Sequence, residues 1–191
     1  MHHIYTTKAI ILRREIQDTS AYYYLLTENV GLIKARAQGI RGVKSKLKGS
    51  LQEFSLSTVA FVRGRVGWKI TTAIPERNFF MDSDSNSVRK IIARISDVLI
   101  RFIVGEEINK NIFMTVENGF TVLLSNEVDQ SIIESIILAR ILYLLGYVDF
   151  HNLEFLFKDF SDFNKEIVSL AGDHKSLIIK SINKGFKESQ L

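Results

Sequence analysis

The chain has 191 residues, 46% of them hydrophobic and 24% charged, with a formal net charge of +4 at pH 7. That is the composition of an ordinary globular protein, long enough for one large domain or two small ones. It contains no cysteine, which excludes disulfides, thiolate metal sites and cysteine nucleophiles.

The opening residues lack the basic start and apolar run of a signal peptide. The greasiest stretches, 98–104 and 132–148, are interrupted by Arg101 and by Glu134 and Arg140, which argues against a membrane span. A soluble cytoplasmic protein is expected. The charge is uneven: residues 1–75 carry 12 basic and 4 acidic side chains, residues 76–191 carry 13 and 17. The two halves are expected to do different work.

Strands come first. Ala9 to Leu12 is an apolar run, and Tyr22 to Leu26 is rich in aromatic β-formers, followed by a turn signal from Thr27 to Gly31. From Leu32 to Ala37 the pattern alternates, with Lys34 and Arg36 on one face and Ile33, Ala35 and Ala37 on the other. Phe54 to Val62 and Val66 to Ala73 form a hairpin through Arg63-Gly-Arg65. About five short strands with no crossover helix between them predict a small barrel rather than a doubly wound sheet.

The periodicity changes after Pro75. A polar stretch from Met81 to Ser87 reads as a linker, with Ser85 or Ser87 as a helix cap. Val88, Ile91, Ile92, Ile95, Val98, Leu99, Phe102 and Ile103 then recur at helical spacing. Further helices are predicted over 112–124, over 131–145 with Ser131 and Glu134 as a capping box, and over 152–160, 164–171 and 173–186. The fold class is α+β: a barrel over 1–77, a linker over 78–87 and a helical bundle over 88–191.

Function points to the barrel. Between Asn29 and Pro75 stand nine basic residues and one acid, Glu53. A one-signed surface of that density calls for a polyanion, with nucleic acid the first candidate. Lys34, Arg36, Arg41, Lys44, Lys46, Lys48, Arg63, Arg65 and Lys69 are the expected phosphate contacts, and Tyr23 and Trp68 the candidate stacking partners for bases. The glycine-punctuated stretch 37–50 is not a P-loop, because no Gly-Lys-Ser/Thr follows at the required spacing. Catalysis is not expected. His2 and His3 are terminal, and His151 and His174 belong to no ligand spacing. Glu106 and Glu107 are read as diverging on a helix, and Asp82, Asp84 and Asn86 lack the glycine and glutamate of a calcium loop.

Several of these segments together resemble the RecO family of bacterial recombination mediators. The similarity runs through Thr7-Lys-Ala-Ile-Ile-Leu-Arg-Arg14, Leu26-Thr27 with Gly31, Ala37-Gln-Gly-Ile-Arg41, Lys44-Ser-Lys46, Leu51-Gln-Glu-Phe-Ser55 and the hairpin from Gly64 to Ala73. It thins in the helical half to Gly119-Phe120 and Leu142-Tyr-Leu-Leu-Gly-Tyr147. The resemblance implies an OB-fold followed by a helical domain, and binding of single- and double-stranded DNA with annealing of complementary strands. It also implies work with RecR and single-stranded-DNA-binding protein in loading a recombinase, near the nucleoid and without ATP hydrolysis. Many relatives continue past the Leu-Gly-Tyr segment with a proline and a four-cysteine zinc lobe. Asp149 stands at that proline's place, no cysteine exists, and the chain is shorter, so neither zinc nor any other cofactor is expected. The rival expectations are a protein adaptor whose basic barrel holds an acidic tail, and an RNA-binding barrel; fold alone does not separate them.

Overall fold

The computed structural model describes residues 3–17, 20–38, 46–125, 128–151 and 153–189. The chain divides into two compact units, Met1–Asp84 with Val104–Lys110, and Ser85–Ile103 with Asn111–Leu191. Residues 104–110 therefore group with the barrel, although they lie between helices in the sequence.

In the first unit, strands β1 (Ile4–Gln17), β2 (Ser20–Thr27), β3 (Gly31–Ala37), β4 (Ser55–Gly64) and β5 (Gly67–Asn78) surround a short helix α1 (Lys46–Ser50) in chain order. They close as a barrel in the order β1-β2-β3-β5-β4, with β4 returning to β1. All ladders are antiparallel except the short β3–β5 seam, where Ala35 faces Trp68 and Arg36 faces Lys69. This is an OB-fold, the five-stranded Greek-key barrel. Alternation builds its core: Ala9, Tyr23, Leu25, Ile33, Ala35, Val59, Phe61 and Ile70 point inward. Leu51 and Leu47 from α1 and its exit pack on the same core; the glycine- and lysine-rich composition of 37–50 gave no sign of that helix. Glu53, the one acid of the basic stretch, accepts a hydrogen bond from the Arg14 backbone N–H at 2.7 Å, so its charge ties β1 to the β4 entry.

The second unit holds α2 (Asn86–Phe102), α3 (Lys110–Leu123), α4 (Gln130–Leu144), α5 (Lys165–Asp173) and α6 (Lys175–Glu188), with a long connection over 145–164 between α4 and α5. Most of the apolar stripe of α2 is buried, and Ser85 caps it by accepting from the Val88 N–H. The cap of α4 is Asp129, not Ser131, because the Ser131 N–H and hydroxyl both donate to the Asp129 carboxylate. The helix expected over 152–160 is only a 3-10 turn, Glu154–Phe157; Asn152 lies outside the described residues. Arg140 accounts for the difference. Its fully buried guanidinium takes the carbonyls of Leu156 (2.7 Å), Phe160 (3.3 Å) and Asp162 (2.8 Å), turning the main chain toward itself rather than along a helix axis. Burial lowers its pKa to about 10. Among the described residues no helix is long and apolar enough to cross a membrane.

Candidate nucleic-acid interface

The strand pattern that fills the barrel also displays its charge. With Ile33 and Ala35 inward, Lys34 and Arg36 emerge on the outer face of β3. The β2–β3 register sets Tyr24 opposite Lys34 and Tyr22 opposite Arg36. The Lys34 ammonium lies 4.9 Å from the Tyr24 ring centroid and 5.5 Å from that of Tyr22, within cation–π range. Across the β3–β5 seam, Lys69 stands beside Arg36, and the β4–β5 turn carries Arg65. Tyr22, Lys34, Arg36, Arg65 and Lys69, with Trp68, line a groove of about 340 Å³. In an OB-fold the β2–β3 face and the β4–β5 loop are where oligonucleotides are taken. This groove occupies that position.

The cations are not equally available. The Lys34 ammonium donates to Glu15 Oε2 at 2.6 Å and to the Tyr24 hydroxyl at 3.1 Å. The bond to Glu15 raises the Lys34 pKa, and the same bond holds the Glu15 carboxyl below its ordinary value. The Arg36 Nε–H donates to Ser20 Oγ on β2 at 2.8 Å. Arg63 is paired with Glu106 at 3.1 Å. Arg65 and Lys69 are exposed and have no carboxylate partner among the described residues. Both counter-acids, Glu15 and Glu106, lie outside the stretch 29–75, so counting charge along that stretch overstated the net charge of its folded surface. Glu106 and Glu107 also sit in an irregular connector rather than on a helix.

The barrel core takes up both stacking candidates: Tyr23 is 0% exposed and Trp68 5%, although Trp68 also lines the groove. Burial pushes the Tyr23 phenol pKa up. Trp68 packs edge-on against Phe61 (5.1 Å) and Tyr5 (5.2 Å), while its Nε1–H donates to Glu106 Oε1 at 2.8 Å. Tyr22 lines the groove, and Tyr24 shares its outer face of β2. The signal that identifies them is the count through the turn at 28–30, which puts them across from the two cations that cannot enter a core. Arg41 and Lys44 lie outside the described residues. Lys46 and Lys48 are on α1, and their side chains lie outside what is described.

The sequence profile described as "Recombination protein O N terminal" matches residues 1–74, the strands that build this groove. Over those residues the chain is similar to the N-terminal domain of the RecO family. Two curated sequences named DNA repair protein RecO, from two strains of Dehalococcoides mccartyi, are each 30% identical over 112 residues. The match covers 58% of this chain and 44% of each relative, so the aligned part spans less than half the relatives' length. A RecO-type zinc lobe does not fit these residues. There is no cysteine, and among the described residues no cluster of three or more His, Asp or Glu could hold a metal. The segment after Gly146 is instead pinned by Arg140, whose guanidinium also lies 4.7 Å from the Phe163 ring, and by stacking of Tyr143 on Phe157 at 4.2 Å.

Proposed function

We propose that this chain is a DNA-binding mediator of recombinational repair that anneals complementary single strands and helps load a recombinase. The observation that carries the reading is the groove. Lys34, Arg36, Arg65 and Lys69 surround a strip bearing Tyr22 on the ligand-taking face of an OB-fold. Cations along a track beside aromatic faces suit a single strand, because phosphates meet charge while bases of any identity meet rings. Annealing follows when such a surface screens two phosphate backbones at once and lowers their repulsion. The activity requires no catalytic group of the chain itself. RecR and single-stranded-DNA-binding protein are the proposed protein partners, and a bacterial cytoplasm with its nucleoid the proposed setting.

The test is annealing of two labelled complementary strands, bare and then coated with single-stranded-DNA-binding protein, at low and moderate salt. Acceleration of both supports the mediator reading. Acceleration of bare strands alone leaves a strand annealer without that partner. Absence of both acceleration and DNA binding at low salt refutes the reading.

A further inference from the structure

We propose that Glu106 is a built-in counter-anion that sets how strongly the basic β4–β5 hairpin takes a phosphate backbone. The inference rests on the nucleic-acid reading above and adds a residue that the basic stretch does not contain. Residues 104–110 group with the barrel, and two anchors hold this strap on it. One is its backbone: a side chain at Gly31 would overlap the Glu107 carbonyl, and Gly31 has φ +85°, a conformation that favours glycine. The other is the Glu106 carboxylate, which is shared. Oε1 accepts the indole N–H of buried Trp68 at 2.8 Å, and Oε2 meets Arg63 Nη1 at 3.1 Å. The Arg63 guanidinium in turn lies 5.1 Å from the Trp68 ring.

One carboxylate thus satisfies the indole's polar atom and occupies a cation of the hairpin that borders the groove. The occupation is reversible in kind. The Arg63 side chain is 63% exposed and that of Glu106 38%, so a phosphate in solution can reach the pair. A phosphate offers a guanidinium the same paired oxygens as a carboxylate does. To gain Arg63, a bound strand must displace Glu106 and then sit beside its charge. Arg65 and Lys69 carry no such partner among the described residues, so the first contacts fall to them and Arg63 is engaged only against this competition.

The experiment measures binding of a fluorescein-labelled oligothymidylate to the full chain by anisotropy at several salt concentrations. The proteins are the unchanged chain, Glu106→Gln, Arg63→Gln and the double variant. Glutamine keeps an oxygen for the Trp68 N–H and removes the charge, and emission of Trp68, the chain's one tryptophan, checks that the indole stays in place. Glu106→Gln should bind about two- to five-fold more tightly at low salt, the range of an exposed ion pair. Its log–log salt slope should steepen by about 0.7, one further single-strand phosphate contact. The gain should vanish in the Arg63→Gln background. If glutamine disturbs the fold, Glu106→Asp, which draws the charge back from Arg63, should give a smaller gain of the same sign. Equal affinity of Glu106→Gln and the unchanged chain overturns the proposal, as does an equal gain with and without Arg63. Failure of all four proteins to bind overturns this inference and the nucleic-acid reading together, whereas binding without the Glu106 effect overturns this inference alone.

Discussion

Replacing Arg140 with methionine should destabilise the helical unit by about 3–5 kcal/mol, far more than a surface arginine would. The side chain is 0% exposed, and its three hydrogen bonds hold the carbonyls of Leu156, Phe160 and Asp162. Methionine fills much of the volume but donates nothing. Each buried carbonyl left without a donor costs about 1–3 kcal/mol. Phe160 loses least, because Thr115 Oγ1 also donates to its carbonyl at 3.1 Å. Loss of this donor at the buried Leu156 carbonyl, the part-buried Asp162 carbonyl and the partly served Phe160 carbonyl gives a gross cost of at most about 3–7 kcal/mol. Relief from burying a guanidinium whose pKa is lowered to about 10 returns part of it, which places the net near the lower half. The assay is urea unfolding followed by circular dichroism, with amide exchange read over residues 153–163. For a chain of this size, a shift in Tm of roughly 6–20 °C is the thermal equivalent. A loss below about 1 kcal/mol, with exchange in 153–163 unchanged, would refute the claim that Arg140 is what orders this segment.

Three further outcomes follow from single residues. Tyr23→Phe removes a buried hydroxyl that has no hydrogen-bond partner among the described residues. It should leave stability unchanged or raise it by about 1 kcal/mol in a thermal melt, and leave DNA affinity unchanged; weakened DNA binding would restore Tyr23 as a stacking residue. Gly31→Ala puts a Cβ into the Glu107 carbonyl at φ +85° and should cost about 2–4 kcal/mol, measured by denaturant titration; a loss under about 0.5 kcal/mol would show that the strap is not seated there. Asp129→Ala should cost about 1 kcal/mol at neutral pH through loss of the α4 cap. The Ser131 hydroxyl, then its N–H, hold the Asp129 pKa below the ordinary 3.8. Its stabilisation is therefore complete above that value and lost as pH falls through the lower folded one, so urea midpoints of variant and unchanged chain should converge in acid.

What could be read from the sequence was what is local. Alternation in 32–37 and the hairpin after Phe54 gave the strands, because side-chain direction has period two along a strand whatever it packs against. The stripe from Val88 to Phe102 gave α2 and Ser85 its cap for the same reason at helical period. What failed depended on distant partners. Glu15 and Glu106 neutralise Lys34 and Arg63, separated by 19 and 43 positions, and no window along 29–75 includes them. Tyr23 and Tyr22 are chemically alike, and only the register against Lys34 and Arg36 tells core from surface. Arg140 looks like a surface cation on a helix, yet α4 is buried on several sides, and the groups it bonds lie 16 to 22 positions on.

The most direct test of the central claim is the salt dependence of single-strand affinity, for the unchanged chain and for Arg65→Glu/Lys69→Glu, whose two side chains are exposed and have no acidic partner among the described residues. Four groove cations, with Arg41 and Lys44 beside them in the sequence, predict a log–log slope of roughly −3 to −4 on single strands. The double reversal should weaken binding at least tenfold and flatten that slope by about 1.4 or more. A salt-independent affinity, or a double variant that binds as the unchanged chain does, would contradict the assignment of this groove to nucleic acid.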